Sequence, residues 1–458
     1  MSNILFDFIQ IAIGNRKSMS ATINDSDWLR LFEFCKSQYI LGIGYTAVEK
    51  LHNQGLICPS SLEERWRALV HKIEKQNEVI NKACADISRQ YKHDGFFTCI
   101  LNSQGGLLNY PEELRMRRMP GDIDVWASPL CDISVAVQTG SNDVEYAVYN
   151  GFRAVREYVK MQHRIDGYLA TSIIRYNHIE APKIDGKEVE VHFRPCYAHS
   201  PLRNWRMQRW FEEHADVCMK NKTHMGFAVP TASVNVVYQM CHLFSHYFDE
   251  GLGLRQLMDY YFALRVWHND VMECKDLQSQ GMWSEGLGTP VMSKEEVMAV
   301  LRSFGMGKFA GAVMYVLQEA FENEECLLEL EMRNEKLGIE RELPQINREL
   351  EEIGPQADGG GEHELSRITR ELKANNYAPW MICEPNEKEG RKLLAEIMQG
   401  GNFGHYDTRD AALKKGGMMK HGVWKLKRVM RLVSSYPEEA LWEPVFRVCH
   451  LLWRLQHK

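Results

Sequence analysis

The stretch with the densest chemistry is Arg118 to Trp126, RMPGDIDVW. Asp122 and Asp124 flank one isoleucine and lead into apolar residues, so the segment reads as a strand opened by a Pro-Gly turn. Side chains two apart on a strand point the same way, and two carboxylates on one face repel unless a cation lies between them. A divalent metal meets that requirement. A second strand offers a third carboxylate. In KEVEVHF, Lys187 to Phe193, polar and apolar residues alternate, placing Glu188, Glu190 and His192 on one face with Glu190 central. Carboxylates on rigid strands suit Mg²⁺, with Mn²⁺ as the alternative. Two such ions about 3.5 to 4 Å apart neutralise the attacking and leaving oxygens when a hydroxyl displaces pyrophosphate from a nucleoside triphosphate.

A triphosphate also needs backbone N–H donors. NSQGG, Asn102 to Gly106, follows the apolar run FFTCIL and precedes the aspartates. It reads as a small-residue loop in which Ser103, Gln104, Gly105 and Gly106 let the main chain approach phosphate. Arg118, four residues before Asp122, supplies a positive charge for the same ligand.

These residues need a scaffold. GFFTCIL, DIDVWA and KEVEVHF read as strands, and SNDVEYAVYNGFRAV (141–155) as a helix-then-turn unit, so residues 96–200 form a mixed α/β core. Residues 1–95 carry apolar positions at helical spacing and form an N-terminal helical module, with Leu29, Leu31, Phe32, Phe34 and Cys35 in a buried stripe. Residues 201–321 form a helical domain with one helix capped by Thr231 or Ser233 and broken near EGLG. Residues 322–376 read as a charged helical insertion with a Gly-rich tip, GPQADGGGE, the candidate docking site for a protein partner. Residues 377–458 are a C-terminal helical segment. The expected fold class is α+β, predominantly helical, with a small mixed-sheet core between N- and C-terminal helical modules.

Bulk properties narrow the function classes. Lys and Arg total 55 against 61 Asp and Glu, so no global positive field recruits nucleic acid or anionic lipid. The 12 cysteines are dispersed without a C-x-x-C pair, which argues against a disulfide framework or structural zinc site and suits a reducing cytoplasm. The apolar N-terminus lacks a basic flank and contains Asp7, so it reads as an amphipathic helix, and no segment approaches ~20 uninterrupted apolar residues. The expectation is a cytoplasmic protein without a membrane partner.

Four further features invite chemistry. His242, His246 and Glu250 share one helix face and could bind metal, but histidines hydrogen-bonded within helix packing are the simpler reading. Arg255 and Asp259 form an i, i+4 pair of the kind that stabilises a helix surface, while His246 or Arg255 could instead line a cleft. QGGNFGHYD, Gln399 to Asp407, reads as a turn needing positive φ rather than a phosphate cradle. The basic stretch Lys414 to Arg431 reads as an exposed amphipathic helix face rather than an RNA surface.

The segments ILNSQGGLLNYPEELRMRRMPGDIDVW, NHIEAPKIDGKEVEVHFRP and HLFSHYFDEGLGLRQLMDYYFAL together resemble an uncharacterised bacterial nucleotidyltransferase family of the DNA polymerase beta-like superfamily. The family pattern runs L-K-G-x-G, Y-P, R-x-x-G-D-I-D, then H and v-E-x-H. EGRKLLAEIMQGGNFGHYD and the basic C-terminal helices resemble its later part, so the likeness covers most of the chain except residues 322–376. The resemblance implies Mg²⁺-dependent transfer of a nucleoside monophosphate from an NTP to a hydroxyl on a small molecule, a protein or an RNA end. It implies two ions held by Asp122, Asp124 and Glu190 and a phosphate loop around Gly105. Arg118 and His192 match motif positions on the nucleotide side. One departure stands out: Asn102-Ser103 replaces the family's Lys-Gly, which removes a charge that steers phosphate. Two alternatives accompany this reading. One is a binding protein that has lost turnover, and the other an RNA-directed transferase using Lys425, Lys427 and Arg428.

Overall fold

The computed structural model describes residues 2–129, 133–138, 144–149, 151–165, 174–279, 291–322, 377–409, 411–414 and 417–456. It has six described strands: β1 (Phe96–Leu101), β2 (Ile123–Pro129), β3 (Ile133–Gln138), β4 (Val144–Tyr149), β5 (His178–Ile184) and β6 (Lys187–His192). Four of them form a mixed sheet in the order β1-β2-β6-β5, and β3 pairs with β4 apart from it. In the mixed sheet only β2 and β6 run parallel, and their register sets Asp124 beside Glu190 and Trp126 beside His192.

The alternation of side chains in these strands separates two environments. One face carries Ile100, Ile123, Val125, Val189 and Val191 and is closed by two helices, α4 and α7. Helix α4 (Ser60–His93) contributes Ile80, Cys84 and Ile87, and α7 (Gly151–Ile165) contributes Val155 and Tyr158. The opposite face carries Cys99, Leu101 and Trp126 into the main helical core, and the same side bears the polar set Asp124, Glu190 and His192.

That helical core is continuous from the N-terminus to the C-terminal helices. Helices α1 (Ser2–Ile13), α2 (Asp25–Ser37) and α3 (Leu41–His52) bury Phe8, Trp28, Phe32 and Ala47. After β1 come two short helices, α5 (Asn102–Leu107) and α6 (Glu112–Arg115). Beyond β6 lie α8 (Pro201–Lys220), α9 (Ala232–Asp249), α10 (Leu254–Ser279), α11 (Lys294–Ser303) and α12 (Gly307–Phe321). The C-terminal part comprises α13 (Glu387–Gly400), α14 (Ala411–Lys414), α15 (Met418–Leu432) and α16 (Pro437–Gln456). Tyr238, Trp267, Phe309 and Ile397 from this second half join the same apolar core as Phe8 and Trp66. Among the described residues no helix is long and apolar enough to cross a membrane, and the ten described cysteines are free thiols.

Several expectations change. Within 141–155 the described residues form strand β4 and the start of α7, not helix then turn, in keeping with the β-branched and aromatic residues of V-E-Y-A-V-Y. NSQGG is not an open loop: it bends sharply at Ser103 and continues as α5, because Gly105 packs under the carbonyl of Ile100. Leu29 is exposed while Leu31, Phe32 and Cys35 are buried, since position 29 lies on the outer side of α2. Glu322 does not begin a solvated arm, for its carboxylate accepts a hydrogen bond from buried Tyr261 (2.8 Å) and its carbonyl one from Gln10. The rest of the charged stretch, 323–376, lies outside the described residues. In α15 the exposed face is mixed, with Val423, Leu426 and Met430 outward beside Lys420, Lys427 and Arg431, while Arg428 is buried.

The Gly105 packing gives a direct test. A Cβ at Gly105 would lie 2.1 Å from the Ile100 carbonyl oxygen, whereas Gly422, inside exposed α15, has open space. Gly105→Ala is therefore expected to lower stability by about 2 kcal/mol or more, and Gly422→Ala to raise it by about 0.5 to 1 kcal/mol. Urea unfolding of both variants reads the contrast.

Candidate active site

A cavity of about 460 Å³ opens where the N-terminal end of β2 meets β6, α5, α9 and α10. Asp122, Asp124 and Glu190 all line it, so the structure brings the three sequence-selected carboxylates together. The strands do this by register: Asp124 sits opposite Glu190 on the parallel pair, and Asp122 precedes β2 by one residue on the same side. A second cavity, of about 380 Å³, adjoins it and shares Asp124, Glu190, His242, His246 and Glu250 with the first. Asp124 and Glu190 thus form the boundary between two compartments.

The electrostatics are those of a site short of positive charge. Burial, then the charges of Asp124 and Glu190, push the Asp122 carboxyl up to about 6, against a smaller opposing pull from Arg255. His192 answers part of the repulsion. Its Nε2 lies 3.2 Å from Asp124 Oδ1 and 3.4 Å from Glu190 Oε2. Burial disfavours the imidazolium, but those two carboxylates outweigh it and push His192 up to about 9. Burial tends to raise Glu190, yet its contact with protonated His192 leaves it below the ordinary carboxylate range. His178 is neutral, because burial pushes it down to about 3.

The entry to β2 is clamped from three directions. Arg118 is buried and makes a two-point ion pair with Asp259 of α10, at 2.6 and 2.7 Å, and Tyr110 donates to the same carboxylate at 2.6 Å. Asn77 of α4 donates to the carbonyls of Met116 and Arg118, both at 2.8 Å. Ser103 Oγ accepts from Gly121 N at 3.0 Å. Gln104 is turned away into α4, donating to Asn77 and Asn81. Of the expected phosphate-loop residues, Ser103 therefore faces the cavity, as does its neighbour Asn102. Gln104, Gly105 and Gly106 serve packing. Asn102 and Ser103 both hold positive φ (37° and 23°), a strained strand-to-helix corner placed at the cavity wall.

Arg255 takes the cleft position that the sequence allowed it, not the i, i+4 surface pair that its spacing suggested. The expected Arg255–Asp259 surface pair does not exist, because Asp259 is occupied by Arg118, 141 residues away in sequence. Arg255 is buried and lines the cavity beside Asp122 and Ser103. Its Nη1 donates to the Met119 carbonyl at 3.3 Å, while Nε has no hydrogen-bond partner. Its guanidinium stacks 5.5 Å from the centre of the Phe403 ring. Phe403 arrives from QGGNFGHYD, which is the positive-φ turn expected there, with Gly401, Phe403 and Gly404 all at positive φ. His242 and His246 pair with each other, Nε2 to Nε2 at 3.0 Å, as expected of packed histidines, and line both cavities. Nothing local in the sequence announces Phe403 as a cavity residue.

Residues 24–281 match the model of a family described as an uncharacterised nucleotidyltransferase. The chain belongs to that family. No curated protein and no solved structure matches it. The matched span includes every cavity residue from Tyr39 to Asp259 and stops before Phe403 and His405, so the nucleotidyltransferase core and the C-terminal turn that closes its cavity differ in how the family accounts for them.

The charge crowding at Asp122 has a measurable cost. A carboxyl raised to about 6 in the folded chain, against an unfolded value near 3.9, destabilises the fold above pH 6, progressively less toward pH 4, and not at all below it. Asp122→Asn in the presence of chelator is expected to stabilise the protein at pH 7.5 by about 1 to 2 kcal/mol after solvent screening. Thermal melts at pH 7.5 and 4 should show the gain at the first value only.

Proposed function

We propose that the chain transfers a nucleoside monophosphate from an NTP to a hydroxyl acceptor, using divalent cations held by Asp122, Asp124 and Glu190. The observation that carries this reading is the pairing of three crowded carboxylates with a buried, partly unsatisfied guanidinium on one cavity wall. The residues fit the metal that the family typically uses: hard oxygen ligands, too close together for their own charges, on rigid strands. When bound, such ions neutralise the charge that develops on the attacking and leaving oxygens.

The chain's own residues divide the remaining work. Arg255, with its Nε unsatisfied, binds the triphosphate and replaces the charge lost where Asn102-Ser103 stands for Lys-Gly. The main chain at Asn102 and Ser103 adds donors at the same wall. Arg118 does not reach phosphate directly, because Asp259 occupies it. It positions Asp122 by fixing the turn before β2. The acceptor enters the second cavity, whose wall includes Tyr176, Tyr197 and Phe446. Its hydroxyl oxygen attacks the α-phosphorus, the bond to the bridging oxygen breaks, and pyrophosphate leaves on the Arg255 side. Glu190, ionised and at the boundary of the two cavities, takes the hydroxyl proton.

The RNA-directed alternative loses two of its three motivating charges, with Lys427 alone exposed. Lys425 is engaged by Asp249 (3.2 Å), and Arg428 is buried against the Tyr247 and Phe248 carbonyls and Glu396. Asp124→Asn removes a metal ligand without changing size. It is expected to cut NTP-dependent pyrophosphate release by about 10³-fold or more while leaving the circular dichroism spectrum intact. Assayed with each NTP and a panel of hydroxyl compounds, unchanged release in that variant contradicts the reading.

A further inference from the structure

The second cavity contains donors that the proposed Mg²⁺ chemistry does not need. His178 on β5 and His192 on β6 are cross-strand partners, and Glu190 lies two residues before His192 on the same face. His178 Nδ1, His192 Nε2 and one Glu190 oxygen all lie within 4.8 Å of one another. Two of these separations, His178 Nδ1 to Glu190 Oε2 and His192 Nε2 to Glu190 Oε2, are both 3.4 Å. Asp124 Oδ1 stands 3.2 Å from His192 Nε2, at the edge of this three-donor cluster rather than within it.

These spacings are those of a coordination shell. Four ligands arranged tetrahedrally at zinc–nitrogen and zinc–oxygen bond lengths near 2.0 to 2.1 Å lie about 3.3 to 3.4 Å apart. His178 Nδ1 is shielded from solvent and makes no hydrogen bond, although it faces Glu190 Oε2 at 3.4 Å, so a buried imidazole nitrogen is left for a ligand of its own. Asn177 Nδ2 lies 3.3 Å from His192 Nδ1. Turned over, the same amide would set its oxygen at that nitrogen, holding the Nδ1–H tautomer and leaving Nε2 free as a ligand. Imidazole nitrogens select first-row transition ions over Mg²⁺, which prefers oxygen and water.

We propose that His178, His192 and Glu190 form a three-ligand transition-metal site of the Zn²⁺ and Co²⁺ class, with an open fourth position on the acceptor cavity. Asp122 and Asp124 lie outside this set. The two compartments therefore differ in metal preference: oxygen ligands around Asp122 and Asp124 on the nucleotide side, and a two-imidazole, one-carboxylate set on the acceptor side. The inference rests on the proposed function only in sharing Glu190 with it.

The test uses the full chain and the metal alone, without nucleotide. Isothermal titration with Zn²⁺ is expected to show one strong site in the chelator-stripped wild type. His178→Ala should weaken it about 100-fold, and Asp122→Asn should keep it. Strong binding that survives His178→Ala overturns the site, as does the absence of a strong Zn²⁺ site in the wild type. X-ray absorption of the Zn²⁺-loaded wild type provides a readout independent of any variant's folding: two imidazoles in the shell support the assignment, and one or none overturns it. A parallel melt with Mg²⁺ and NTP separates the two readings, since nucleotide stabilisation without Zn²⁺ binding defeats this site alone, and Zn²⁺ binding without nucleotide stabilisation defeats the transferase reading alone.

Discussion

Like charges on adjacent strands repel, and in this chain the sheet forces them together. Asp124 and Glu190 occupy one register position of the parallel pair β2 and β6, with Asp122 beside them. The arrangement survives because the opposite face of the same strands is apolar and locked between α4 and α7. A one-residue slip would expose Val125, Val189 and Val191 and bury the carboxylates, so hydrophobic packing on one face holds electrostatic strain on the other. His192 relieves part of that strain in the metal-free chain by bridging Asp124 and Glu190.

The helical shell completes what the sheet begins. The turn before β2 is tied to α10 by Arg118 and Asp259, to α4 by Asn77, and to α5 by Ser103. Each tie is a hydrogen bond or ion pair between segments far apart in sequence, and together they hold Asp122 against its neighbours. Because Arg118 satisfies Asp259, Arg255 is left without that partner and turns to the cavity. The C-terminal turn around Phe403 then closes over its guanidinium. Arg255 thereby sets a positive charge from α10 on the same cavity wall as Asn102 and Ser103.

What could be read from the sequence follows from the range of the interactions. The D-I-D and E-V-H strands show period-two alternation over a few residues, so their faces and their carboxylates were legible, as was the predominantly helical frame around a small mixed sheet. The helical spacing of Arg255 and Asp259 was equally plain and misleading, because a partner 141 residues away outcompetes the i, i+4 neighbour. Small residues in NSQGG suggested an open loop, whereas the glycine at 105 is there for contact with the Ile100 carbonyl, which only the paired strand and helix reveal. Strand β4 carries strand-favouring Val and Tyr but no period-two alternation, since Glu145 alone interrupts an apolar run, and periodicity does not mark it. The second cavity could not be anticipated at all, since it joins β5, β6, α9 and α16.

Ligand-linked unfolding tests the central claim, that the crowded carboxylates are the cation-dependent half of a nucleotide site. Melting of the wild type and of Asp122→Asn/Asp124→Asn would be followed with Mg²⁺ alone, each NTP alone, and both. A ligand at about 100 times its dissociation constant adds ~2.7 kcal/mol to stability. Stabilisation that requires metal and triphosphate together, and disappears in the double variant, is the predicted result. No stabilisation by any NTP with Mg²⁺, or equal stabilisation of the double variant, would contradict the account.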